Sequence, residues 1–215
     1  MIIRVFPRKT SMTPIDDPYI FVGDPPLWRP EADVVHVSVT FTWDIEEGKR
    51  LQEAWMQHYP IVKLGGPALN GGGVLKFRFT PGMYVKHGVT FTSRSCNNNC
   101  PWCLVPEYEG KLRTIPITSG HIVQDNNFLQ CPPSHRQAVY QMLSSQRRAA
   151  EFSGGLDARL VTDGVADELR GLRIHQVFFG RRHRGGAEAI GEGDQEAVFP
   201  AAPEVTLLCD DSLRR

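Results

Sequence analysis

Three cysteines within eight residues, Cys96-Asn97-Asn98-Asn99-Cys100-Pro101-Trp102-Cys103, constrain this chain more than any other feature of its 215 residues. Two more, Cys131 and Cys209, stand apart, and the total of five is odd. A disulfide framework needs paired cysteines, whereas thiols clustered on a short loop serve as metal ligands. The pattern therefore points to a reducing interior. Three thiolates on one tight loop can ligate three corners of a cubane iron–sulfur cluster, where ferredoxin runs supply four. With no fourth cysteine nearby, one iron would stay open to an exogenous ligand. An open coordination position is what catalysis at a metal centre needs. The same thiols admit another reading, a three-cysteine zinc site completed by His87 or His121.

Charge removes several function classes. Twenty-four basic residues balance twenty-four acidic ones, so no basic footprint argues for nucleic acid or an anionic membrane surface. The start, MIIRVFPRKT, has neither the apolar core nor the cleavage site of a signal peptide. No run approaches the roughly 20 apolar residues of a membrane helix. A cytoplasmic location is expected.

Twenty glycines and sixteen prolines predict short elements joined by many turns. Ile2–Phe6 and the Val/Thr-rich Asp33–Trp43 read as strands. Asp44 with Glu47 reads as a capping box for a helix carrying Leu51, Trp55 and His58 on one face and ended by Pro60. Ile61–Leu64 follows as a strand, so strand, helix and strand suggest a parallel sheet. A Gly/Pro/Asn-rich break over 65–82 reads as a connector. Beyond it Tyr84–Ser93, Ile115–Gln124, Glu151–Ser153 (closed by Gly154-Gly155) and Ile174–Phe179 read as strands. Helices are expected from Ser134, boxed by Gln137, to about Ala150, and over Asp163–Arg170. This is an α/β chain, the beginning of a β/α barrel or an open sheet.

The motif C-x3-C-x-aromatic-C, with Trp102 at the aromatic position and a strand and FTSRSC leading in, resembles the radical S-adenosylmethionine (SAM) superfamily. The resemblance covers about residues 30–180 and is specific only at 91–103. It implies a [4Fe–4S] cluster on Cys96, Cys100 and Cys103, with the open iron chelated by SAM. Reduction would cleave SAM to methionine and a 5′-deoxyadenosyl radical that takes a hydrogen atom from substrate, while the protein supplies ligation and orientation. An external one-electron donor of flavodoxin or ferredoxin type is implied, and Trp102 would line the adenine site. By order along the barrel, Gln124-Asp125-Asn126-Asn127 would hold the SAM amino group, although Asp and Asn are also ordinary turn formers. Gly154-Gly155-Leu156-Asp157 is similar to the family's GGE-type motif but lies one strand late, and two glycines also make a plain tight turn. Arg159 would face the SAM carboxylate or else stand as a solvated surface residue.

The amino-terminal region looks like the reduced Rossmann-type segment that precedes the barrel in cobalamin-binding members. The cobalamin signature D-x-H-x-x-G is missing, and His36 lies inside a strand pattern, so cobalamin is not implied. The expected architecture is a small Rossmann-like domain with its linker over 1–82 and a partial radical-SAM barrel over 83–180. An irregular tail over 181–215 reads as a disordered end or a frameshifted continuation. Only four strands precede Gly180, which keeps open an alternative function: a truncated, non-catalytic iron–sulfur or zinc-binding protein. Arg181–Arg184 reads as a solvated basic stretch, and Cys131 as a buried or incidental thiol.

Overall fold

The computed structural model describes residues 1–69, 79–98, 100, 103 and 105–180, with the backbone of 206–207. The chain is mixed α/β with parallel strand pairing, and it divides into two compact units. The first comprises Met1–Val89 with Leu104–Gly110, and the second Thr90–Cys103 with Lys111–Arg215. Trp102, residues 70–78 of the expected connector, Arg181–Arg184 and Cys209 lie outside the described residues. Among the described residues no helix is long and apolar enough to cross a membrane.

In the first unit β1 (Ile2–Phe6), β2 (Ile20–Val22), β3 (Val34–Ser38) and β4 (Val62–Gly65) form a parallel sheet in the order β2-β1-β3-β4. The register sets Ile3 beside Val35 and Val37 beside Leu64. Branched residues suit a pleated surface, and Ile3, Val5, Val35 and Val37 are buried there. Helix α1 (Ile45–Met56) crosses from β3 to β4 and buries Leu51 and Trp55, four residues apart, against this face. The Trp55 indole N–H donates to the Gly23 carbonyl at 3.1 Å, so the one polar atom of a buried ring is satisfied.

Three expectations change in this unit. The strand predicted over Asp33–Trp43 ends at Ser38, because the chain leaves the sheet and makes a 3-10 turn over Thr42–Asp44. Asp44 does not cap α1 through its side chain. Its buried carboxylate instead accepts two hydrogen bonds from the Arg8 guanidinium, a stronger partner than a backbone amide. His58 is exposed beyond the helix end, and Tyr59 takes the core position, its hydroxyl donating to Pro30 O at 2.7 Å.

The strand expected over Tyr84–Ser93 is reduced to β5 (Val89–Thr90), followed by β6 (Ser93–Arg94). A short helix, α2 (Val105–Glu109), precedes β7 (Arg113–Thr114), which pairs antiparallel with β6. Of Ile115–Gln124 only β8 (Ile122–Val123) is strand, and the segment before it is tied to residues 90–92 by isolated bonds, Ile115 N–H to Thr92 O and Thr90 Oγ1 to Thr118 O.

Beyond β8 lie α3 (Pro133–Ser144), β9 (Ala150–Asp157), α4 (Asp163–Arg170), β10 (Ile174–Gly180) and the two-residue β11 (Thr206–Leu207). The sheet order is β11-β10-β9-β8-β5, with β8, β9, β10 and β11 parallel. Phe128, Tyr140, Phe152, Leu156 and Leu169 fill one core, with the Phe128 and Phe152 ring centroids 5.5 Å apart. The capping box expected at Ser134 is absent. Pro133 opens α3 instead, because its fixed φ suits the first helical turn and its missing N–H would have had no partner there. The helix stops at Ser144 rather than near Ala150, which belongs to β9. Helix α4 has the bounds the sequence predicts, and the Thr162 side chain caps it by accepting from the Val165 N–H.

His36 on β3 is a titratable group whose neutral form this fold favours. Its Nδ1 lies 2.6 Å from the Tyr84 hydroxyl. Burial, then the charges of Lys63 and Arg4, lower its pKa. The native state therefore binds fewer protons than the unfolded chain, so stability should fall as pH drops through about 6.5 toward 5. Thermal unfolding followed by tryptophan fluorescence should show a lower Tm at pH 5 than at pH 7.5, with His36→Gln removing part of the difference.

Candidate metal and cofactor site

The cysteine loop starts from a buried carboxylate. Asp125, 1% exposed at the end of β8, accepts from the Thr92 N–H at 2.7 Å, the Thr92 hydroxyl at 2.6 Å and the Ser93 hydroxyl at 2.7 Å. Hydrogen bonds to an ionised acceptor are the strong ones, and these three compensate the burial of the charge. They fix the backbone three residues before Cys96, which makes Asp125 a positioning residue for the loop.

The chain then bends. Ser95, fully buried, sits at φ 73°, a left-handed conformation that non-glycine residues rarely adopt. It turns the backbone out into the cysteines. The Asn97 N–H donates to Gln130 Oε1 at 2.6 Å, and the Asn98 N–H lies 3.4 Å from Cys96 Sγ. The Cys103 N–H donates to Cys100 O at 3.0 Å, closing a turn between those two thiols. Cys96 and Cys100 are half-buried, Cys103 is exposed, and none of the three is in a disulfide.

A second anchor comes from the end of β9. The Asn98 side chain donates through Nδ2 to Asp157 Oδ2 at 2.9 Å, and its Oδ1 accepts from Arg159 at 2.8 Å. Arg159 also grips Asp157 through Nε at 2.9 Å. This guanidinium, with Asn98 behind it, holds the Asp157 carboxyl well below the usual carboxylate range. Asp157 in turn raises the Arg159 pKa, and the nearness of Cys100 and Cys96 adds to that rise. The cation thus stands within electrostatic reach of two cysteines.

Strand β9 reaches this position because of its two glycines. The sequence predicts that Gly154 and Gly155 close a strand ending at Ser153, yet β9 runs through both of them to Asp157. A Cβ on Gly154 would lie 2.1 Å from the Asp125 carbonyl oxygen, so only glycine lets β9 pass the end of β8. Gly155 has φ +102°, a conformation open to glycine alone at no cost.

Asn127 lies between these parts, 2% exposed. Its Oδ1 accepts from the Asp157 N–H at 3.3 Å, which fixes the orientation of the amide and leaves the buried Nδ2 with no partner. An unpaired buried donor costs about 1–3 kcal/mol, so this atom calls for an acceptor. Asn126 is half-buried.

The sequence-derived candidates that are described, Cys96, Cys100, Cys103, Asp125, Asn126, Asn127, Gly154, Gly155 and Arg159, belong to one unit. Arg159 bonds both Asn98 of the cysteine loop and Asp157 of β9. Among the described residues, however, no group of three or more His, Cys, Asp or Glu side chains is gathered to hold a metal ion. That covers the three-cysteine set and its completion by His87 or His121 alike. His121 is buried, its carbonyl accepting from the Glu151 N–H at 2.7 Å, and the His87 ring belongs to the first unit, where it packs on Gly82. Cys131 is a core residue at 2% exposure, its thiol pushed up by burial.

The donor set itself suits an iron–sulfur cluster: three unpaired thiols on one loop, a backbone N–H directed at one sulfur and a cation beside two of them. Sequence reasoning missed Thr92, Ser93, Asn98, Gln130 and Asp157. The hydroxyls of FTSRS and the Asp of GGLD were visible as polar residues at strand ends, whereas nothing local marked Gln130. No family model, no curated protein and no solved structure matches this chain.

Asp125→Ala should destabilise the second unit by about 3 kcal/mol or more, since it strands three buried donors. Gly154→Ala should cost about 2–3 kcal/mol, because the obstructing atom is backbone. Urea denaturation of both variants measures this, and a loss under 1 kcal/mol in either would contradict the packing described.

Proposed function

We propose that this chain is a radical SAM protein in which Cys96, Cys100 and Cys103 ligate a [4Fe–4S] cluster. On this reading the first unit is a Rossmann-like domain, and the second is the early part of a β/α barrel. The observation that carries the reading is three free thiols at C-x3-C-x2-C spacing on a loop braced before its first cysteine by Asp125 and at Asn98 by the Asp157–Arg159 pair. Bound there, the cluster with SAM would supply reductive cleavage of SAM and so initiate radical chemistry on a substrate. The electron would come from an external flavodoxin- or ferredoxin-type donor, in a cytoplasmic setting.

The polar groups around the loop divide by donor and acceptor character. Asn127 Nδ2 is a donor without a partner, so it suits the SAM carboxylate or a ribose hydroxyl and not the ammonium group. Arg159, a cation half-used by Asp157, suits the same carboxylate. The amino group needs acceptors, which the backbone carbonyls around Gln124–Asn126 and the Gly154–Gly155 stretch would provide. Asp125 acts at one remove, by holding Thr92 and Ser93. Trp102 would line the adenine side.

The test is anaerobic reconstitution with iron and sulfide, then addition of SAM and dithionite. Bound iron and acid-labile sulfide in equal amounts, with 5′-deoxyadenosine released, is the expected result. Cys96→Ala, Cys100→Ala and Cys103→Ala should each lose the cluster absorbance and the product. A cluster that forms without yielding 5′-deoxyadenosine would replace the enzyme reading with a non-catalytic iron–sulfur protein. Zinc bound without labile sulfide would overturn both.

A further inference from the structure

We propose that the first unit carries a separate binding site for a small monocarboxylate, in the crevice at the carboxyl ends of β1 and β3. In the order β2-β1-β3-β4, β1 leads outward to β2, while β3 leads through α1 to β4 on the other side. The two connections diverge between β1 and β3. Open parallel sheets leave a ligand crevice at such a point, beyond the strands' carboxyl ends. A cavity of about 70 Å³ lies there, lined by Phe6 at the end of β1 with Arg8 beyond it, Ser38 at the end of β3 with Phe41 and Asp44 beyond it, and Tyr84. All of these residues belong to the first unit, so the site is complete within it.

The lining specifies a ligand. Arg8 gives one edge of its guanidinium, Nε at 2.7 Å and Nη2 at 2.5 Å, to the two oxygens of Asp44. Asp44 is 4% exposed, so the Arg8 plane is locked by a buried carboxylate. A guanidinium has five N–H groups and a second fork, Nη1 with the outer N–H of Nη2, which matches the two oxygens of a planar carboxylate. Ser38, 8% exposed at the end of β3, also lines the cavity and offers a hydroxyl. One hydroxyl beside one pre-oriented cation suits a single negative charge. A dianion fits poorly, because Asp44 already offsets the single charge of Arg8. Phe6, Phe41 and Tyr84 provide apolar surface for a short tail. At about 10–15 Å³ per water-sized group, the cavity holds about five to seven such groups, the size of propionate or butyrate.

This site is independent of the cysteine loop, and its test uses the full-length chain without metal. Isothermal titration with butyrate, its neutral isostere butyramide and inorganic phosphate, together with saturation-transfer NMR on the ligand, reads the site directly. Butyrate should bind saturably, and butyramide and phosphate at least about tenfold more weakly, as expected for loss of a charge-assisted fork. Arg8→Lys keeps the charge on Asp44 but lacks the second fork, and should weaken butyrate about tenfold. Ser38→Ala, which removes one oxygen atom, should weaken it severalfold with the thermal transition unchanged. Equal binding of butyrate and butyramide, preferential binding of phosphate, or wild-type affinity in both variants would each overturn the proposal.

Discussion

The second unit depends on the carboxylate of Asp125. An ionised group at 1% exposure would be prohibitive without partners, and here three donors from two adjacent residues supply them. The arrangement joins the end of β8 to the segment that launches the cysteines, through side-chain and backbone donors together. Neighbouring features follow from it. The backbone around Asp125 must be approached closely by β9, which requires Gly154, and β9 can then continue to Asp157, where the loop is gripped again.

The cysteine loop is thereby organised by the protein's own groups. Asn98 is held from one side by Asp157 and Arg159, while the Asn97 backbone is held by Gln130. Such bracing limits the conformations the loop must lose on taking a ligand, which is the physical meaning of preorganisation. It also sets a cation near two of the thiols. The same unit keeps one buried amide donor, Asn127 Nδ2, unsatisfied beside this anchor. A folded chain tolerates such a cost where a ligand relieves it.

The sequence made some of this legible and hid the rest for identifiable reasons. Runs of branched apolar residues located β1, β3 and β10, and periodicity with flanking residues located α1 and α4, because those signals are local. The cysteine spacing announced its loop for the same reason. Strand ends were less readable. Gly154 and Gly155 look like a turn in sequence, and only the nearness of Asp125 shows that they let a strand pass. Asp44 had every local mark of a cap, yet Arg8, far away in sequence, claimed its carboxylate. Ser134 likewise lost its capping role to the neighbouring Pro133. Each of these is a tertiary partner or a backbone constraint overriding a local preference.

The central physical claim is that the platform under the cysteines stands by itself, before any metal arrives. The Thr92 amide reports it most directly, since its N–H is given to the buried Asp125 carboxylate rather than to a strand neighbour. Native-state hydrogen exchange on the metal-free, reduced protein should show this amide protected to nearly the same free energy as the slowest amides of β9. Exchange at the rate of an exposed loop amide, while β9 remains protected, would contradict the account.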